Sequence, residues 1–442
     1  MSRTPDPKKE LTLFDSTCLI VGIIVGAGIY QTAPDVAKGV GSSAGVLGIW
    51  VLGGLLSLFG AMGYAELASA YPRVGGDYVY LGRAYGRWAG FLFGWAQLAV
   101  VRPGDIAVMA YVFATYAQTL CDPLAGTGFP YMHQCYAAGA TILFTLVNVM
   151  GVSEGKWTQN VLTVLKTLGL LTIVGLSFIG LPNRSAPGAA EALPWSLALI
   201  LVLFTFGGWN EMAYVAAEVR NPRRNIARAL AIGTLTVTGL YLLVNGAFLH
   251  SLGYAAVTQS RAIAVDTVAT VLPNFGGKFI SALICISALG AVNGLILTGA
   301  RISFAVGSEH RIFRFLGRWD EDRGTPARAL LLQGAIAVVL ILALGSFLNA
   351  ILYTAATVYS FYLATTLAIL VLRRREPQVE RPYRVFGYPV VPLVFSAVCA
   401  FLIYSAVCYR PRVAAISALI LPLGLLLYRI SERNKTAHPS TR

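Results

Sequence analysis

Charge is what this sequence has least of. Only 12% of its 442 residues are Asp, Glu, Lys or Arg, about half the ~25% of an ordinary soluble domain. That deficit, with 56% hydrophobic residues in runs that repeatedly reach the ~20 a spanning helix needs, excludes a soluble enzyme and indicates a polytopic membrane protein. Cysteine is sparse too. Cys18, Cys121, Cys135, Cys285, Cys399 and Cys408 show neither CxxC nor metal-ligand spacing. No P-loop, HExxH, catalytic triad or zinc spacing appears, so neither an enzyme nor a bound cofactor or metal is expected.

Acidic residues are outnumbered, and the formal net charge is +14. The basic residues stand in short clusters between apolar runs, which argues against nucleic acid as a partner. About 26 of the 34 Lys and Arg fall on the side shared by both termini, about 6 on the other and 2, Arg102 and Lys166, within the membrane. Both termini are therefore expected in the cytoplasm, with the bilayer as the surrounding partner. Lys8 and Lys9 precede an apolar run too long for a signal-peptide core, so the first helix is expected to stay uncleaved.

The hydropathy pattern predicts twelve spans, near residues 16–37, 44–70, 88–120, 135–150, 158–179, 194–217, 227–251, 277–306, 329–344, 347–372, 389–409 and 413–430. The basic stretch 309–328 is a candidate short surface helix, and the tail 432–442 reads as disordered. Cys121 and Cys135 flank one outward loop; a disulfide is open to them, with two independent small apolar residues the favoured reading.

The first span carries three glycines in seven residues, within Val21-Gly22-Ile23-Ile24-Val25-Gly26-Ala27-Gly28-Ile29-Tyr30. Each costs roughly 1 kcal/mol against alanine in a helix, and an unwound backbone in hydrocarbon must find partners for its polar groups. The sixth span is interrupted in the same way at Phe204-Thr205-Phe206-Gly207-Gly208-Trp209-Asn210. Paired interruptions at corresponding points of two halves mark a transporter's binding site. Breaks in spans one and six imply a LeuT-like fold, all α-helical: two inverted five-helix halves, near 11–180 and 194–373, plus two helices near 389–431, in a single transmembrane domain covering 1–442.

Each break offers complementary chemistry. Unwinding at Gly26, Ala27 and Gly28 exposes the N–H groups and positive dipole end of the following half-helix, which suit a carboxylate. Carbonyls near Ile24 and from Phe204 to Gly208 suit an ammonium. Together they describe an α-amino acid zwitterion. The glycines of the second span, Gly53, Gly60 and Gly63, read instead as close helix packing. Phe204, Phe206 and Trp209 ring the second break, as gates over a substrate or as core. Asn210 is a further candidate substrate contact. Glu211, costly within a span, has three roles open: contacting substrate, taking up a proton, or standing in the outer vestibule.

Lys166 lies about eight residues into the fifth span, roughly 12 Å deep at 1.5 Å per residue. That depth favours a structural cation over snorkelling: it would bridge the first, fifth and eighth helices where a sodium-coupled relative holds its ion, through carbonyls and hydroxyls such as Ser287. Arg102 is expected to be compensated by Asp105 one turn later, a structural role first and a substrate role second. Residues 71–78 and 218–225, dense in turn formers and charge, suit either an inner gate of ion pairs or ordinary loops.

These motifs carry a resemblance. VGIIVGAGIY, YPRVGGDYVYL, RPGDIAVMAYVFATY, KWTQNVLTVLK, FTFGGWNEMAYVAAEVRNPRRNIARAL and ISALGAVNGLILTGARISF occur in one order between Leu11 and about Pro392. The chain resembles the L-type amino acid transporter family of the amino acid, polyamine and organocation superfamily, and more closely its prokaryotic members. The resemblance implies a sodium-independent antiporter of L-amino acids, with neutral ones the leading cargo. It places the carboxylate on Gly26, Ala27 and Gly28, the amine on the carbonyls of Ile24, Phe204 and Gly207, the gate at Phe204 and a sodium surrogate at Lys166. Gly26-Ala27-Gly28-Ile29-Tyr30 departs from the family's usual GSGIF and loses a serine hydroxyl, and Glu211 after GGWN is less usual in animal members. Animal members pair with a glycoprotein through a cysteine near the place of Cys121; no such partner is expected for a prokaryotic-like chain. A proton-coupled symporter, with Lys166 or Glu211 titrating, is the alternative, and a sensor or channel a further one.

Overall fold

The computed structural model describes residues 11–26, 28–72, 75–123, 130–150, 156–179, 191–213, 216, 219–272, 276–320 and 325–436. Among them there is no strand; Leu11–Val219 and Asp320–Thr325 make only isolated bridges. Helix is what an apolar sequence must adopt in hydrocarbon, because it satisfies every backbone group within the segment. Nine of the described helices are long and apolar enough to cross a membrane, or ten if the bent first pair is one span. The chain is an integral membrane protein.

Thr12 caps α1 (Leu13–Ile24) in a reciprocal box with Asp15, Asp15 N–H to Thr12 Oγ1 at 3.2 Å and Thr12 N–H to Asp15 Oδ2 at 3.0 Å. The helix resumes as α2 (Gly28–Val40) at 53° to α1, so the predicted first span is two half-helices. Next comes α3 (Ser43–Ala70), whose glycines do admit close neighbours: a Cβ on Gly53 would stand 2.2 Å from Val202, and one on Gly60 2.8 Å from Trp209. Positive φ at Gly75 (120°) and Gly76 (49°) turns the chain into α4 (Asp77–Tyr85), a helix where the sequence suggested a loop. The third predicted span is composite: α5 (Arg87–Ala96), a π turn over Gln97–Val101, then α6 (Arg102–Leu120).

Then follow α7 (Met132–Val149) and α8 (Lys156–Ile179). The sixth predicted span is α9 (Trp195–Thr205) plus a 3-10 turn over Trp209–Ala213. α10 (Pro222–Gln259) runs past its predicted end through Gly253 at φ 76°, and the loop beyond folds as α11 (Ile263–Ala269). After α12 (Gly276–Glu309) the basic stretch holds one 3-10 turn, Arg311–Phe313, where a longer surface helix was expected. α13 (Ala327–Leu344), α14 (Phe347–Arg375), α15 (Val390–Tyr409) and α16 (Pro411–Thr436) complete the chain. Most of the predicted tail 432–442 lies outside the described residues, but α16 extends into its start. Cys121 and Cys135 are both free thiols on the surface, so the loop they flank carries no bridge between them.

The core forms where α1, α3 and α8 pack on α10, α2 on α9, and α6 on α12 and α14. This brings the interruption after α1 against the turn after α9.

Candidate functional site

The two interruptions differ in how they are closed. Val25 ends α1 with its N–H on the Val21 carbonyl at 2.7 Å, and the Gly26 N–H turns back to Ile24 at 2.7 Å. At the second, Phe206 N–H closes on Val202 and Gly207 N–H on Phe204, both at 2.9 Å, before Gly208 takes φ 114°. Ala27, expected beside the substrate carboxylate, lies outside the described residues.

Three residues not singled out from the sequence tie these ends together. Tyr241 of α10 is fully buried, and its hydroxyl lies 2.8 Å from the Ile24 carbonyl and 3.1 Å from that of Thr205. One phenol thus serves the last carbonyls of two half-helices, sharing that of Ile24 with the Gly26 N–H. Thr32 and Thr205 approach at 3.0 Å between hydroxyls, joining α2 to α9. The signal was a polar-tipped ring inside an apolar span, which usually finds a hydrogen-bond partner when buried.

Between the breaks is a cavity of about 360 Å³, inside the roughly 300–1,000 Å³ range of small-molecule sites. Ile24, Gly26 and Gly28 line it from the first break; Phe204, Gly207, Asn210 and Glu211 line it from the second. The structure therefore gathers the predicted site residues of both breaks around one space. α2 contributes only Gly28, whereas α1 adds Leu19, Gly22 and Ile23: the cavity extends from the breaks toward the N-terminal end of α1. Trp209 is placed elsewhere. It is 2% exposed and outside the lining, edge-on to Tyr64 at 5.0 Å and near Phe395 at 6.0 Å between ring centres, so it packs behind the cavity, and of the two rings expected as gates Phe204 alone lines it. Phe206, also fully buried, packs on Trp50 and Tyr241.

Ionisable groups crowd the same space. Lys166 lines the cavity from α8, which packs on α1 and α12; Gly290, Ala291 and Gly294 of α12 share that wall, while Ser287, expected as its partner, is outside the lining. Arg102, 4% exposed, donates to Glu211 at 2.8 Å. The partner expected from sequence was Asp105, and the direct ion pair instead crosses from α6 to the turn after α9. Asn210 Oδ1 accepts from the Tyr362 hydroxyl at 3.0 Å. Asp77 is held by the Tyr64 hydroxyl and by Thr365 Oγ1 at 2.6 Å.

The ends of α3 and α14 nearest Asp77 carry a layer of ion pairs. Glu66, 1% exposed, receives Arg373 at 2.8 and 2.6 Å and the Val385 N–H at 2.7 Å. Glu376 receives Arg83 and the Tyr71 hydroxyl, each at 2.9 Å. Burial pushes the Glu376 carboxyl up, but those two hydrogen bonds and the charges of Arg83 and Arg381 outweigh it and hold it below the usual glutamate value. In the second segment suspected of gating, Arg223 pairs with Glu380 at 2.8 Å and Arg220 N–H bonds Leu11 at 2.8 Å; Glu218 is outside the described residues.

A helical bundle that opens two of its spans onto one cavity has the arrangement expected of a membrane carrier. Comparison with known proteins is specific. The family model for amino acid permeases matches residues 11–428. The chain is 31% identical to the human b(0,+)-type amino acid transporter 1 over 439 residues, 96% of this chain and 88% of that one. It is 29% identical to the serine/threonine exchanger SteT of Bacillus subtilis over 438 residues, covering 97% and 98%, and 31% identical to the mouse Asc-type amino acid transporter 1 over 436 residues, covering 95% and 81%. The chain belongs to the amino acid permease family, as its motifs implied.

Proposed function

We propose that this protein exchanges neutral L-amino acids across the membrane by alternating access, without sodium. The observation that carries the proposal is the convergence of two helix breaks on one cavity. In this reading the substrate carboxylate takes N–H groups at the start of α2, by Gly26, Ala27 and Gly28, and the ammonium takes carbonyls of Ile24, Phe204 and Gly207. Asn210 adds a polar contact and Phe204 closes over the bound molecule. Lys166 supplies the fixed positive charge that a sodium ion supplies elsewhere. One relative, SteT, bears a name that specifies exchange of serine and threonine, which supports exchange over one-way uptake.

The same reading takes the ten apolar helices together with α7 and α8 as twelve spans, arranged as two inverted halves, near 11–180 and 194–373, and two added helices. Both termini lie in the cytoplasm by the distribution of Lys and Arg, in the inner membrane of a single-chain carrier that needs no glycoprotein. The cavity then faces inward. Glu211 and Lys166 line the cavity, and that favours proton-coupled symport as the second reading. Proteoliposomes separate the two. Exchange requires unlabelled amino acid inside the vesicle, whereas symport proceeds into empty vesicles under an imposed pH gradient. Uptake that needs neither internal substrate nor a gradient would overturn both.

A further inference from the structure

The loop from α14 to α15 holds the most exposed large apolar side chain among the described residues. Phe386 is 85% exposed, yet the chain that presents it is tied down before and after it. Val385 is buried, and its N–H bonds Glu66 at 2.7 Å. The Tyr383 hydroxyl reaches the Met62 sulfur at 2.9 Å, and Arg381 donates to the carbonyls of Leu372 and Glu376 at 2.9 and 3.1 Å. Beyond the ring, the Arg373 guanidinium lies over Tyr388 at 3.7 Å. An apolar group held outward by a fixed backbone marks a surface that something covers.

What covers it follows from the helix ahead. α15 leaves Val390, Leu393, Val394, Phe401 and Tyr404 exposed, at spacings that make one helical face, and buries Phe395, Cys399, Leu402 and Ala406 on the other. In a helix long and apolar enough to span, that exposed face meets acyl chains. Phe386 comes four residues before Val390, in a turn whose Gly387 carbonyl already takes the Val391 N–H at 3.1 Å, as in a helix. The lipid-facing stripe is thus carried past the end of α15 to the level of the headgroups, where aromatic rings gather.

Charge points the same way. Arg384 and Phe386 are exposed on either side of buried Val385, so as alternate residues of a non-helical stretch they face away from the protein together. Arg384 has no ion pair or hydrogen bond with a described residue, and the glutamates of the loop are engaged elsewhere, Glu376 by Arg83 and Glu380 by Arg223. The distribution of Lys and Arg assigns this side to the cytoplasm, where the leaflet carries anionic lipid.

We propose that residues 383–390 dock on the inner leaflet, with the Phe386 ring at the boundary of headgroups and acyl chains and the Arg384 guanidinium on anionic headgroups. Because Val385 and Arg373 share Glu66, the docked loop braces the ends of α3 and α14 in the ion-pair layer. The docking depends on α15 crossing the bilayer and not on which molecule is carried.

The test uses the full chain in vesicles, with Cys18, Cys121, Cys135 and Cys408 changed to alanine and one spin-labelled cysteine added. Phe386→Cys reports the ring's position, and Gln378→Cys, exposed in the same loop, serves as control. At 386 collisions of the label with oxygen, which concentrates among acyl chains, should exceed those with a water-soluble nickel chelate; at 378 the order should reverse. Nickel-favoured collisions at 386 would overturn the docking. Few collisions with either reagent would mean that protein covers the loop, a second copy or another chain, and would overturn it as well. The charge contact is read separately, by thermal unfolding in detergent as phosphatidylglycerol is added. Arg384→Gln should raise the lipid needed for half of the stabilisation roughly fivefold, the worth of one arginine near an anionic surface, and Arg384→Lys should keep it near wild type. An unchanged requirement in Arg384→Gln, or an equal stabilisation by phosphatidylcholine, would overturn the contact with anionic headgroups.

Discussion

The first break and the second are both built on glycine pairs, but glycine does different work in each. At Gly26 and Gly28 an added Cβ would meet nothing closer than 3.8 Å; the missing side chains leave room. At Gly207 a Cβ would stand 2.9 Å from the Phe204 carbonyl oxygen, and at Gly208, with φ 114°, 2.6 Å from Ile23; here the missing side chains leave shape. The first pair keeps the cavity open at the break, and the second pair holds the turn that presses against the first helix. A binding site made of bare backbone needs both, since exposed peptide groups are useful only if a rigid partner positions them.

The comparison is sharpest at Gly208. Gly208→Ala forces a side chain into a left-handed backbone, roughly 1–2 kcal/mol, and against Ile23, with about 1–3 kcal/mol more from overpacking. Loss of both folded protein and uptake is expected, read as a low yield of monodisperse protein in detergent. Normal yield and transport would show that the turn relaxes freely. Gly28→Leu should separate the two roles: the first carbon fits beside Thr205 and Phe204 at 3.9 and 4.0 Å, so the protein inserts and melts close to wild type, while the remaining carbons fill the cradle and uptake is abolished. Retained uptake by a well-folded variant would mean that the carboxylate sits elsewhere.

Tyr241 belongs to both breaks at once. Tyr241→Phe strands the Thr205 carbonyl it serves at 3.1 Å and leaves the Ile24 carbonyl, now at 2.8 Å from the phenol, with the Gly26 N–H alone, a loss of about 1–3 kcal/mol for a buried group left unsatisfied. Thermal unfolding in detergent should drop accordingly, and transport should weaken because the two half-helices lose their common anchor. An unchanged melting temperature would mean that another group takes over the two carbonyls.

How much of this was legible follows from the physics of each signal. Glycine clusters inside apolar runs are local, and they marked both breaks and brought out Ile24, Gly26, Gly28, Phe204 and Gly207, which line one cavity. What each glycine accommodates depends on atoms far along the chain, such as Ile23 against Gly208, and no local pattern encodes that. The pairing of Arg102 with Glu211 was missed for the same reason: Asp105 is near in sequence, Glu211 is near only once α9 has ended and turned. Trp209 looked like Phe204 by position, but Phe204 ends α9 whereas Trp209 opens the 3-10 turn beyond Gly208, and it went into the packing against Tyr64. Pro103 announced an irregular backbone that was readable in principle, and the π turn is its consequence.

If the breaks carry the function, ion pairs remote from them should matter least, and Glu376 tests this. Its contact with Arg83 at 2.9 Å joins side chains 34% and 22% exposed, so solvent screening limits the pair to about 0–1 kcal/mol. The carboxyl is held below its usual value. Its contribution is therefore complete above the unfolded glutamate pKa of about 4.3, constant across neutral pH, and lost as pH falls through the lower folded value. Glu376→Gln should cost a degree or two of melting temperature at neutral pH, and the gap to wild type should close on acidification below about pH 4. A gap of the same size in acid would assign the cost to packing, not charge. A loss of uptake as large as that of Gly28→Leu would show instead that the ion-pair layer takes part in the transport cycle as directly as the cradle does.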